Sequence, residues 1–333
     1  MLNGPDNLLE LRDFSLTLKR KKTPLPLLKG LSFSLRPGES MAIVGESGCG
    51  KTLTARSIMK LYDERSFEVN GGQILFKGRD ILGLSEAELR ELRGKQMAMI
   101  FQEPMTALNP VFTIGDQIEE ALTLHLDMGK KEALMRAVEL LEQVGIPEAE
   151  YRIHSYPHEL SGGMRQRAMI AMAISCNPTL LIADEPTTAL DVTVQAQIME
   201  LLERLREEIG MALILVTHDL GIVWSVAERV IIMYAGYIVE NSPVNDLFKD
   251  PLHPYTQGLL RSIPQQDVYK WKDKGRRRLD PIPGNVPAMN QLGPGCPFMP
   301  RCPKEMKVCK EILPPLTGVE GSDLREVRCH LYP

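Results

Sequence analysis

The chain has 333 residues, 44% of them hydrophobic and 25% charged, and a net charge of -4. Its length exceeds one compact domain and fits one large domain with an appendage, or two domains. The slight acidity offers no basic field, which speaks against a nucleic-acid binder. The start, MLNGPDNLLELRDF, has no basic segment leading into an apolar stretch, so no signal peptide is expected. Apolar windows such as MALILVTH and RVIIMYAGYIVE are too short to cross a bilayer. The chain reads as soluble and cytosolic with reduced cysteines. Any membrane role is expected to come through a partner.

Residues 8–44 read as β-rich, because apolar and polar residues alternate between turns at Pro24, Pro26 and Pro37-Gly38. A helix is expected over 53–62, directly after a glycine-rich loop. GGQILFKGRDI and KQMAMIFQ are short strand candidates. From Thr113 to Gly145 the pattern turns helical, with Leu134, Val138, Leu141 and Val144 at three- and four-residue steps. A further helix is expected over 165–176. TLLIADEP and MALILVTHD read as buried parallel strands, and between them VTVQAQIMELLERLREEIG reads as an amphipathic helix closed by Gly210. Strands alternating with helices predict an α/β fold around a parallel sheet. After about Pro251 prolines crowd in, a basic run KWKDKGRRR occupies 270–278, and periodicity fades. A domain boundary is expected near 260, and the basic run reads as a solvated linker.

Gly45-Glu46-Ser47-Gly48-Cys49-Gly50-Lys51-Thr52 matches a phosphate-binding loop. It stands after a strand and before a helix, as that motif requires. Its backbone N–H groups and the helix N-terminus suit an anion. Lys51 would reach β- and γ-phosphates, and Thr52 would hold Mg²⁺. Cys49 reads as a bystander. Asp184 and Glu185 stand where a buried strand emerges, one to bind Mg²⁺ and the other to orient or deprotonate a water. Gln102 and His218 also end strands, but each is a weak signal alone. Ser161-Gly162-Gly163 opens a helix and forms a second anion-binding N-terminus. One nucleotide has no use for two such loops in one chain, so the second is expected to serve the ATP of another chain.

These motifs, in this order, resemble the ABC-transporter ATPase family over residues 8–260. They are GESGCGKT, Gln102 (Q-loop), LSGGM (signature), LLIADEP, Ala189-Leu190-Asp191 (D-loop) and His218 (switch histidine). The resemblance implies a P-loop ABC ATPase domain over 1–260. That domain would hold a RecA-like core, an N-terminal β-subdomain and a helical subdomain at about 103–165. It also implies two such domains head to tail, with ATP between the Lys51 loop of one and the Ser161, Gly162, Gly163 and Asp191 equivalents of the other. One departure stands out: the family's adenine-stacking aromatic falls where Leu18 stands, and Phe14 lies four residues too early.

FQEPMTALNPVFTIGDQI, DPLHPYTQGLL, PIPGNVP and the cysteine-rich end are closer still to ATPase subunits of dipeptide and oligopeptide importers. That likeness implies a paralogous second ATPase subunit, two transmembrane permease subunits and, indirectly, an extracytoplasmic peptide-binding protein. It implies no nucleic acid, and a peripheral place on the cytoplasmic face of the bacterial inner membrane. Related importers move nickel complexes, glutathione or cationic peptides.

The extension 261–333 carries Cys296, Cys302, Cys309 and Cys329, with five, six and nineteen residues between them. Disulfides suit the cytosol poorly. Zinc sites favour closer pairs. Wide gaps, with prolines after two of the cysteines, suit a [4Fe–4S] cluster better, and some members of the peptide-importer group carry one there. Unmetallated thiols are the bland alternative. His330 is a substitute ligand candidate, and Cys176 reads as buried. Rival functions are a soluble ABC ATPase on DNA or ribosomes, an exporter ATPase, and an iron–sulfur sensor on an ATPase fold. The first wants coiled-coil insertions or a second ATPase domain in the chain, and neither is seen.

Overall fold

The computed structural model describes residues 7–21, 23–188, 190–262, 282–322 and 324–332. The basic run 270–278 and Ala189 lie outside them. In chain order the strands are β1 Leu9–Leu18, β2 Leu25–Leu35, β3 Ser40–Val44, β4 Phe67–Phe76, β5 Arg79–Asp80, β6 Met97–Ile100, β7 Leu180–Asp184, β8 Ala212–Thr217, β9 Arg229–Tyr234, β10 Tyr237–Pro243, β11 Thr317–Gly318 and β12 Glu326–Val327. They build two sheets. β2-β1-β4-β5 form a four-stranded antiparallel sheet, the expected N-terminal β-layer. The larger sheet runs β11-β12-β10-β9-β3-β8-β7-β6. From β9 to β6 its neighbours are parallel, and β10, β11 and β12 add an antiparallel edge. β3, β6, β7, β8 and β9 are buried throughout, which explains their unbroken apolar sequences: covered on both faces, a strand has no solvent side to alternate toward.

One apolar cluster joins the four-stranded sheet to one face of the larger sheet through Leu11, Phe14, Leu31, Ile43 and Ile58. A second packs helices on the other face, through Ile118, Leu140, Ile170, Leu181 and Leu202. The helices Ile114–Leu126, Lys130–Gln143 and Gly162–Ile174 fill the chain between β6 and β7. In Lys130–Gln143 the fully buried side chains are Ala133, Ala137, Leu140 and Leu141, while Leu134 and Val138 are only partly covered. Leu141 and Val144 of the expected stripe are fully buried, so its C-terminal half holds and only its N-terminal half is turned by about one residue. Small alanines face the neighbouring helices, where close approach favours them, and the longer side chains lie at the margin. The helix after the glycine-rich loop begins at Lys51, two residues earlier than the pattern indicated. Val192–Ile209 is closed by Gly210 as expected.

The third cluster gathers Val44, Leu220, Tyr234, Tyr255 and Phe298, with Ile282, Cys296 and Cys302 packed against it. Here the last residues return to the sheet. β12 pairs with β10, Glu240 opposite Val327, and β11 pairs with β12. Among the described residues no helix is long and apolar enough to cross a membrane.

Candidate nucleotide site

The site lies where the parallel strands end. β3 runs into the loop Gly45–Gly50, and the helix Lys51–Ile58 starts at once. Gly45 has no room for a side chain: a Cβ would come 2.3 Å from Met233 O and 2.7 Å from Cys49 Sγ. The loop is therefore pressed onto the end of β9. Gly50 caps the helix without a side-chain hydrogen bond, so the first-turn N–H groups face outward for an anion rather than for a capping oxygen. Lys51 is buried and donates to Gly45 O at 2.8 Å and Glu46 O at 3.2 Å, which keeps its ammonium on the loop. Cys49 is fully buried and burial pushes its thiol pKa up, in keeping with a packing role.

Thr52 donates to Asp184 Oδ1 at 3.0 Å. Asp184 ends β7 and is 1% exposed. Burial raises its carboxyl pKa, with the neighbouring Glu185 adding to the rise and the Thr52 hydroxyl opposing it. A buried carboxylate beside a hydroxyl is a donor set of hard oxygens that fits Mg²⁺.

Glu185 follows with φ 46, and its N–H donates to Val216 O at 2.8 Å. The left-handed turn costs energy in a non-glycine residue and aims the side chain away from the strand line. Three groups converge on that carboxylate. Gln102 Nε2 donates to Oε2 at 3.0 Å, Thr188 Oγ1 donates to the same oxygen at 3.0 Å, and His218 Nδ1 lies 3.4 Å from Oε1. The two weak sequence signals, Gln102 and His218, gain their meaning from this meeting. Thr188 was missed. Its only sequence signal was a hydroxyl three residues after Glu185.

The second loop is built separately. Ser161 caps Gly162–Ile174, accepting from Met164 N at 3.3 Å, and Asp191 caps Val192–Ile209, accepting from Val194 N at 3.0 Å. A Cβ on Gly163 would meet Val194 at 3.1 Å, and one on Gly162 would meet Leu190 at 3.7 Å. Signature and D-loop are thus brought together, but their hydrogen bonds go to their own helices and not to the Lys51 loop. Leu18 closes β1 opposite Leu25 and Phe67, and Phe14 is wholly buried in the core.

Residues beyond 250, which the sequence left out of the site, also reach the loop. Tyr255 Oη accepts from Glu46 N at 2.9 Å, and Arg301 forks onto the Glu46 carboxylate at 2.6 and 3.0 Å.

The structure does not show the four-cysteine cage expected in the extension. Among the described residues no group of three or more His, Cys, Asp or Glu side chains is arranged to hold a metal ion. The four thiols are free and near enough to sense one another's charge. Burial first, then the sulfurs of Cys309, Cys329 and Cys302, push Cys296 up to about 11. Gly295 lets the two segments touch, since a Cβ there would lie 2.2 Å from Cys309 O, and Cys296 N donates to that carbonyl at 2.8 Å. His330 Nε2 is engaged with Ile312 O at 2.9 Å, which removes that nitrogen from a ligand role. Cys176 is buried, its thiol 3.7 Å from Ala121 O.

Comparison with known proteins agrees with this geometry. Residues 28–188 match the ABC transporter family, and residues 239–309 match the oligopeptide/dipeptide transporter C-terminal region. The chain is 51% identical to the oligopeptide transport ATP-binding protein AppD of Bacillus subtilis (strain 168), over 98% of this chain and 97% of that protein. It is 50% identical to the dipeptide transport ATP-binding protein DppD of the same organism, over 91% and 88%. Among solved structures, the dimeric post-hydrolysis state of the ATP-binding cassette MJ0796, bound to ADP and Pi, is similar with a TM-score of 0.64 and 29% identity, covering 71% of this chain and 98% of that one. The chain belongs to the ABC transporter ATPases, in the group that carries the oligopeptide/dipeptide transporter C-terminal region.

Proposed function

We propose that this chain is the ATP-hydrolysing subunit of an importer of di- or oligopeptides. It works with a second, paralogous ATPase subunit and two transmembrane permease subunits on the cytoplasmic face of the inner membrane, fed by an extracytoplasmic peptide-binding protein. The observation that carries the catalytic part is the convergence of Gln102, Thr188 and His218 on Glu185, next to the Thr52–Asp184 pair. The cargo class rests on the similarity to AppD and DppD.

In this reading the amides of Gly45–Thr52 and the Lys51 ammonium bind the β- and γ-phosphates. Thr52 and Asp184 would hold Mg²⁺, which supplies charge neutralisation at the phosphate oxygens. Glu185 orients the attacking water and draws its proton. Gln102 and Thr188 hold the carboxylate in place, and His218 stands on its other oxygen, where it can reach a γ-phosphate. Ser161, Gly162, Gly163 and Asp191 face outward to complete the ATP site of the partner subunit.

Cys296, Cys302, Cys309 and Cys329 would hold a [4Fe–4S] cluster. What supports this reading is four cysteines within one short stretch and the closeness of two of their segments, Cys296 N donating to Cys309 O at 2.8 Å. Anaerobic purification with iron, sulfide and zinc assays tests the cluster: about four irons and four sulfides per chain support it, while zinc or no metal overturns it. Peptide-stimulated ATP hydrolysis by the reconstituted transporter, lost in Glu185→Gln, tests the function. Hydrolysis unaffected by that substitution, with the partner site silenced, would sink the assignment of the base.

A further inference from the structure

Glu46 is the only acidic residue of the phosphate loop, and it is tethered at three points. Its carbonyl accepts from Lys51, its N–H donates to Tyr255, and its carboxylate takes the two-pronged Arg301 guanidinium. The last two tethers come from chain more than 200 positions away, with sequence separations of 209 and 255. Arg301 is 7% exposed and has no free nitrogen: Nε donates to Pro283 O at 2.9 Å and Nη1 also to Tyr234 Oη at 3.3 Å. It is held in turn by an aromatic cluster. Tyr234, Tyr255 and Phe298 meet with ring centroids 4.7 to 5.3 Å apart, and all three are buried.

A carboxylate on this loop is in the wrong place for ATP. The loop offers N–H groups and a lysine to an anion, so a free Glu46 side chain would repel the phosphates or compete for the same donors. The Arg301 fork fixes the carboxylate's direction and cancels its charge. We infer that Arg301, supplied by the C-terminal extension, is a positioning residue of the nucleotide site, which neutralises Glu46 and sets the phosphate loop for ATP. The inference rests on the nucleotide-binding reading of that loop. It makes the extension a working part of the ATPase.

The test measures MgATP affinity of the full chain, and KM and kcat of the assembled transporter. Arg301→Gln should weaken binding and raise KM about tenfold, with kcat at saturating ATP changed by about twofold or less, because an unpaired, partly buried charge acts on binding while the Glu185 constellation stays intact. The loss should shrink at high salt. Adding Glu46→Gln to Arg301→Gln should restore most of the affinity, since the carboxylate that repels ATP is gone. If Arg301→Gln does not fold, Arg301→Lys keeps the charge but loses the fork, and its smaller affinity loss should be restored by Glu46→Gln in the same way. Unchanged affinity in either single variant overturns the inference. A double variant no better than its parent also overturns it, for Arg301 would then only staple the extension. Failure of the unmodified chain to bind MgATP would remove the nucleotide-site reading itself, an outcome distinct from both.

Discussion

The nucleotide site and the C-terminal extension sit against the same loop, but they are put together by different means. In the site, each functional residue comes at or just past the end of a parallel strand: Gly45 after β3, Gln102 after β6, Asp184 at the end of β7 with Glu185 just past it, His218 after β8. Parallel register brings those ends to one edge without further instruction. Among its described residues the extension has almost no regular structure. Two-residue strands, short helical turns and single side chains hold residues 282–322 and 324–332 in place, among them Phe298 in the aromatic cluster and Arg301 on Glu46. Topology makes the first region robust. The second depends on individual long-range contacts, so single substitutions should separate the two.

The largest separation is expected from Glu185→Gln. Removal of a general base costs on the order of a hundredfold or more in hydrolysis, and ATP-bound dimers should accumulate while thermal unfolding stays close to that of the unmodified protein. A large drop in stability instead would mean that Glu185 is a structural hinge, as its left-handed backbone alone would allow. Phe298→Ala should act the opposite way. It empties a fully buried ring site and should cost about 3–5 kcal/mol, read by urea unfolding, with proteolysis beginning in the extension. If unfolding were unchanged, the extension would not be docked as described.

Acid should loosen the same region. His253 is buried and neutral, accepts from Tyr255 N at 3.0 Å, and packs on Phe298. Burial lowers its pKa from 6.5 to about 3, with the Arg328 charge adding to the fall. The unfolded chain therefore binds a proton that the folded chain refuses. This contribution is complete above the unfolded value and is lost as pH falls through it toward the folded one. At about pH 5 the loss should be about 2 kcal/mol. His253→Asn keeps an acceptor for the helix start but does not titrate, so its stability should fall less steeply between pH 7 and about pH 5. Equal slopes would place the acid sensitivity elsewhere.

The smallest expected effect falls back in the site. Thr188→Val removes one of the hydrogen bonds that hold Glu185, worth about 1 kcal/mol, and should slow kcat about fivefold without changing KM. A change in KM alone would place Thr188 on the nucleotide instead.

Much of the site was legible because its residues lie in short motifs with strand and helix flanks: Gly45 to Thr52, Ser161 to Gly163, Asp184 with Glu185. Gln102 and His218 were legible only as members of an ordered set. Thr188, Tyr255 and Arg301 were not, since a threonine in a turn or an arginine between prolines has no pattern that names its partner. In the same way, the helix over 130–143 was readable but the N-terminal half of its buried face was not, because Leu134 and Val138 repeat with the helical period as well as Ala133 and Ala137 do. Which side turns inward depends on the helices it meets.

The sequence by itself determined the α/β class, the phosphate loop, the acidic strand end and the family, since each is a local pattern with a local physical cause. Only the tertiary structure decided what stands around Glu185 and what becomes of Glu46. The partners of those two carboxylates come from separate strands and, for Arg301, from 255 residues away. Charge pairing and desolvation act through space, and the chain's order does not record which residues the fold will make neighbours.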